Sequence, residues 1–169
     1  MPVLSLSLGS NIDAASNIRK AVAALRAEFD HLRCSTVYES EALGFAGNNF
    51  LNLVVVSDTD KPLDAVLAYL RQLEDSLGRD RSQPRFSPRS IDLDILTYSD
   101  EDGEHSGSDC GIVLPRPEIT RNAFVLRPLA ELLPEQIHIG AGVSFSQLWA
   151  DFDKPGQRLW PVLFDWTGE

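Results

Sequence analysis

Cysteine is scarce. The 169 residues contain two, Cys34 and Cys110, at a spacing that suits no metal knuckle. That excludes a disulfide-dense scaffold, and two free thiols in a reducing cytoplasm are expected. No apolar run approaches the roughly 18 residues of a membrane span. Met1-Pro2-Val3-Leu4-Ser5-Leu6 alternates and does not have the layout of a signal peptide. Gly9-Ser10-Asn11 lacks the glycine spacing and lysine of a Walker loop or dinucleotide fingerprint, so it is read as a turn with capping capacity. His31, His105 and His138 are scattered and form neither a zinc pattern nor a nucleophilic triad. Positive charge is also short: 15 basic against 25 acidic residues give a net charge of −10. A general nucleic-acid binder would carry a basic face instead.

Against that acidic background one segment stands out. Arg79, Arg81, Arg85 and Arg89 fall within eleven residues, and Asp92 and Asp94 follow almost at once. Arginine is the favoured cation of this chain, twelve against three lysines. Its planar fork binds phosphate bidentately, where lysine acts as a point charge. Pro84 and Pro88 keep the cluster out of a regular helix, so it is read as a loop able to close over a polyphosphate. Asp92 and Asp94 lie two apart in an expected strand and leave the same face, with Ile91, Leu93 and Ile95 opposite. Two such carboxylates repel each other unless a cation lies between them, and magnesium is usually held by one or two carboxylates plus substrate phosphates.

The length suits one domain over 1–169, and the 43% apolar content suffices for a core. Alternation predicts strands over Val3–Leu8, Leu32–Glu39, Phe50–Val56 and Ser90–Tyr98. Helical spacing predicts helices over Asn17–Phe29 and from Pro62 to about Leu77, where Gly78 stops the second. Ser99–Asp109 reads as an acidic surface loop and Gly111–Leu114 as a short strand. Asn122–Leu133 reads as a helix split in two by Pro128, and the tail as a helix followed by an extended end. The order strand, helix, strand, strand, helix, strand matches the α+β, ferredoxin-like βαββαβ plan. In that plan an antiparallel sheet carries its helices on one face, here with a C-terminal extension.

Asn48-Asn49-Phe50-Leu51-Asn52 opens a central strand, with Phe50 and Asn52 sharing a face. An amide beside an aromatic ring suits a flat heterocycle, which it can pair with and stack on. From residues alone, a magnesium-dependent phospho- or nucleotidyltransferase and a non-catalytic nucleotide-binding module both fit.

Leu8-Gly9-Ser10-Asn11, Asn49-Phe50-Leu51-Asn52, Pro88-Arg89-Ser90-Ile91-Asp92-Leu93-Asp94-Ile95 and the run from Leu114-Pro115 to Pro128-Leu129 occur in this order. Together they resemble the 6-hydroxymethyl-7,8-dihydropterin pyrophosphokinase family of folate biosynthesis. The resemblance implies a cytoplasmic enzyme that takes ATP as co-substrate and moves its diphosphate to the pterin hydroxymethyl group, releasing AMP. It implies two Mg2+ ions on Asp92 and Asp94, with Arg79 and Arg89 as catalytic arginines on the phosphates. Asn52, Ser40 and Leu43 would meet the pterin, Phe50 and Phe124 would sandwich it, and Glu74, Arg81 and Arg116 would join the ATP site. Small-molecule substrates, no nucleic acid, no membrane and a monomer are expected. Arg116 stands where the family often has histidine, and Asn122 where it usually has arginine.

Overall fold

The computed structural model describes residues 2–41, 48–78 and 91–167, with the backbone alone at Asp109. Its elements are β1 (Val3–Ser10), α1 (Ala14–Glu28), β2 (Asp30–Cys34), β3 (Val37–Ser40), β4 (Phe50–Asp58), α2 (Leu63–Ser76) and β5 (Asp92–Asp100). There follow β6 (Gly103–Glu104), β7 (Gly107–Asp109), β8 (Ile112–Leu114), a 3-10 turn (Pro117–Thr120), α3 (Ala123–Leu132), α4 (Phe145–Ala150) and β9 (Leu159–Val162). The main sheet runs β6-β5-β1-β4-β3-β9, with β2 also paired to β4, and every pairing is antiparallel. With β2 and β3 counted as one broken strand, this is the βαββαβ plan.

Period-two alternation sorts the strand residues between two cores. Leu4, Leu6 and Leu8 of β1, Leu53 and Val55 of β4, and Leu93 and Ile95 of β5 face α1 and α2. They meet Ile18, Val22 and Leu25 of α1 and Val66, Leu70 and Leu73 of α2. Val54, Val56 and Leu96 face the other way, onto Val125, Leu126 and Leu129 of α3 and Phe145 of α4. The C-terminal extension therefore covers the far end of the second sheet face and leaves its near end, where β5 begins and β1 ends, for the site.

Four local expectations differ from the structure. The strand expected over Leu32–Glu39 is broken, because the Ser35 hydroxyl accepts the Val54 amide at 2.9 Å in place of a ladder carbonyl. The Thr36 amide then turns out of the sheet to Glu131 Oε2, 2.9 Å away. The helix around Pro128 is continuous over Ala123–Leu132. Pro128 deprives the Phe124 carbonyl of a helical donor, but Val125, Leu126 and Leu129 are packed in the core on both sides of it and hold the turn. The acidic segment after β5 contains β6 and, with β8, a small hairpin. Gly9 and Ser10 continue β1 rather than forming a turn.

Candidate active site

The site begins at the end of β1. Gly9 pairs with Asn52 of β4 on one side and with Asp92 of β5 on the other. Ser7 likewise lies between Val54 and Asp94. Two strand spacings separate Asn52 from Asp92, about 10 Å. Between them Gly9 presents no side chain. A Cβ there would stand 3.3 Å from Asn52 Oδ1 and 3.8 Å from the Phe50 ring. The missing side chain leaves a gap in the sheet face, bounded by an amide and an aromatic ring at one end and carboxylates at the other.

At the amide end, Asn52 is buried and donates from Nδ2 to Ser40 Oγ at 2.8 Å. That bond turns the Nδ2 edge of the amide toward β3. Oδ1 and the second Nδ2 hydrogen remain to read a donor–acceptor pattern. Ser40 is held opposite Phe50 by the β3–β4 register. Phe124 enters from the start of α3, and both phenylalanines are half-buried. Glu131 docks α3 on β3, accepting the Tyr38 hydroxyl at 2.8 Å and both donors of Thr36. This carboxylate, which the sequence alone did not single out, ties the later turns of α3 to the sheet, seven residues beyond Phe124.

At the other end, Asp92 and Asp94 leave one face of β5, while Leu93 and Ile95 are buried in the opposite core. Arg116 lies beside Asp94, with Nη2 3.7 Å from its Oδ1. Its Nε donates to the Ile95 carbonyl at 2.8 Å, and its Nη1 meets Glu118 at 3.2 Å. The side chain is thus locked along β5. Burial in this concavity pushes the Asp94 carboxyl up to about 6; Arg116 opposes the shift, and Asp92, Glu74 and Glu118 add to it. The carboxylate is still reachable, with 40% of its side-chain surface exposed. Glu74 does not open onto this face. It is buried on α2, and its Oε2 accepts the Leu93 amide at 2.7 Å.

Among the described residues no group of three or more His, Cys, Asp or Glu side chains is set for a metal ion. The pair Asp92 and Asp94 nevertheless fits magnesium, a hard cation that takes one or two carboxylates and completes its six oxygens from water and phosphate. A carboxyl raised by burial and by a neighbouring carboxylate gains from a cation placed there. Ser40, Phe50, Asn52, Phe124, Asp92, Asp94 and Arg116 are therefore brought to one sheet face. Leu43, Arg79, Arg81 and Arg89 lie outside the described residues.

The profile of the family described as 7,8-dihydro-6-hydroxymethylpterin-pyrophosphokinase matches residues 5–134. The 2-amino-4-hydroxy-6-hydroxymethyldihydropteridine pyrophosphokinase of Aquifex aeolicus (strain VF5) is 36% identical over 140 residues, covering 82% of this chain and 84% of its own. The protein of the same name in Bacillus subtilis (strain 168) is 33% identical over 159 residues, covering 92% and 88%. Among solved structures, the Plasmodium falciparum HPPK-DHPS wild type with SDX-DHP superposes with a TM-score of 0.65 at 14% identity. That match covers 90% of this chain and 44% of the longer one, and at such identity it speaks for the fold alone. On the profile match and these two relatives, the chain belongs to the 7,8-dihydro-6-hydroxymethylpterin-pyrophosphokinase family, whose members are ATP-dependent pyrophosphokinases of folate biosynthesis.

Proposed function

We propose that this chain transfers the β,γ-diphosphate of ATP to the hydroxymethyl oxygen of 6-hydroxymethyl-7,8-dihydropterin on the face of β1, β4 and β5 around Gly9. The observation that carries the reading is the juxtaposition across Gly9: a heterocycle-reading amide on one neighbour strand and paired carboxylates on the other. A pterin against Asn52 directs its hydroxymethyl arm along the gap toward Asp92 and Asp94. The new bond joins that oxygen to Pβ, the bond from Pβ to the α-phosphate oxygen breaks, AMP leaves with that oxygen, and the hydroxyl proton passes to a carboxylate or to water.

Asn52 and Ser40 pair with the pterin edge, Phe50 and Phe124 stack on its faces, and Leu43 completes the lining. Asp92 and Asp94 hold two magnesium ions, which supply charge neutralisation for the phosphates when bound. Arg116 keeps Asp94 aimed into the site and lends positive charge to the triphosphate. Arg79, Arg81 and Arg89 contact the phosphates, and Glu74 supports the ATP side from beneath the strand. Little covalent work falls to the protein in such a transfer. In-line positioning and charge stabilisation carry the rate. We further propose a cytoplasmic monomer that binds no nucleic acid, in keeping with the net charge of −10. Among the described residues no helix is long and apolar enough to cross a membrane.

The test is product analysis from ATP, Mg2+ and 6-hydroxymethyl-7,8-dihydropterin, with Asp92→Ala as the control. AMP and pterin diphosphate should form in equal amounts. ADP or free pyrophosphate in their place would instead indicate a different phosphotransferase.

A further inference from the structure

We infer that Gln157, in the extension beyond the family-matched residues, is a positioning residue for the pterin pocket, acting through the start of α3. The helix needs such a partner. Its first amides have no helical acceptor, and its N-cap residue Asn122 makes no side-chain cap bond. Gln157 supplies what is missing with one amide: Oε1 accepts the Ala123 N–H at 2.8 Å, and Nε2 donates to the Arg121 carbonyl at 2.8 Å. It therefore clamps the backbone on both sides of Asn122, where the chain turns from the 3-10 segment into the helix. The next residue is Phe124.

The clamp is itself held by the strand that carries the other side of the pocket. β9 pairs with β3, placing Leu159 opposite Ser40. Arg158 forms an ion pair with Glu41. Gly156, at φ +83°, makes the turn that delivers Gln157 to the helix end. Ser40, Phe124, Gly156, Gln157 and Leu159 line one small pocket, and Ser40 is the residue that orients the Asn52 amide. One segment thus fixes the spacing between the stacking ring and the recognition amide. An ångström of misplacement there weakens stacking and pairing together. Asp94 and Arg116 lie at the far end of the gap, and Arg116 reaches the clamped backbone indirectly, through Glu118, whose carbonyl accepts the Arg121 and Asn122 amides, so the nucleotide end should respond much less.

The inference rests on the pterin reading above, and the two fail separately. Wild-type AMP formation tests the reading, and the ratio of variant to wild type tests the clamp. Gln157→Leu removes both hydrogen bonds at similar volume. Gln157→Glu keeps the acceptor for Ala123 but loses the donor to Arg121. Leu163→Ala, at a fully exposed position in the same extension, is the control. Pterin KM should rise about tenfold for Gln157→Leu and about threefold for Gln157→Glu, with ATP KM and kcat within about twofold and the control unchanged. An unchanged pterin KM, or pterin and ATP constants that rise together, would overturn the proposal. If Gln157→Leu does not fold, the same split in the milder Gln157→Glu decides. Fluorescence titration with the dihydropterin, without ATP, gives the pterin dissociation constant, which should weaken in the same ratio as the pterin KM.

Discussion

The Leu93 amide donates to Glu74 Oε2 at 2.7 Å, so a buried carboxylate on α2 holds the backbone N–H of the residue between Asp92 and Asp94. β5 is paired to β1 on one side, while its other neighbour β6 reaches only Ser99 and Asp100. At Leu93 the outer side of β5 is supported by a helix side chain rather than a strand. A rigid placement of the two aspartates depends on that bond.

Removing the acceptor should cost both stability and metal affinity. Glu74→Ala leaves a buried amide without its charged partner, a loss of about 2–3 kcal/mol. Glu74→Gln keeps a carbonyl acceptor and should lose less than about half of that. Urea unfolding measures the first effect, and magnesium titration of AMP formation the second. Stability lost without a weaker magnesium response would mean that Glu74 supports the fold but not the carboxylates.

Asp94 should destabilise the apoprotein that it serves. Its carboxyl is raised from 3.8 to about 6, so the folded state holds its proton more tightly than the unfolded state. Well below pH 3.8 both states are protonated and nothing is lost. As pH rises toward and through 6, the folded state alone resists ionisation and stability falls. Asp94→Asn removes this penalty. With the side chain 40% exposed, the gain at pH 7.5 is discounted to about 1 kcal/mol, a few degrees in Tm. At pH 4 the variant should gain only a small fraction of that, and at any pH it should lose most of its turnover. Thermal unfolding at the two pH values, without magnesium, checks the sign.

The parts of the site that the sequence displays are those fixed by local geometry. Asp92 and Asp94 are two apart in a strand, so their common face follows from the pleat. Phe50 and Asn52 share a face for the same reason. What it does not display depends on pairing between distant segments. Gly9 reads locally as a turn residue; only its register with both Asn52 and Asp92 makes it the floor of the gap. Gln157 and Ala123 meet across 34 positions, and nothing in either neighbourhood announces it. The break at Ser35 and the continuity of α3 through Pro128 are likewise tertiary outcomes. In one a hydroxyl enters the ladder, and in the other a packed core overrides a local breaker.

Gly9→Ala tests the floor. The added Cβ would meet Asn52 Oδ1 at 3.3 Å, close enough to turn the amide that Ser40 has set. Pterin KM should rise about tenfold or more, while ATP KM changes little and stability falls by about 1 kcal/mol. Steady-state kinetics with each substrate varied in turn separate the two ends of the gap. Equal effects on both would mean that the methyl group disturbs the whole sheet.

Arg116 is predicted to act on metal binding through Asp94. Its charge is what opposes the upward shift of that carboxyl, and its Nε bond to Ile95 keeps the guanidinium in place. Arg116→Met removes both, so the Asp94 carboxyl should rise above 6 and hold its proton further into the neutral range. Magnesium must displace that proton. The half-saturating magnesium concentration should therefore increase more at pH 6.5, by about five- to tenfold, than at pH 8.5, where it should change about twofold. Arg116→Lys keeps a charge without the planar fork and should recover only part of the loss. Magnesium titrations of AMP formation at the two pH values distinguish this from direct nucleotide contact. A role confined to nucleotide contact, without the action through Asp94, would raise ATP KM equally at both and leave the pH dependence of magnesium binding as in the parent.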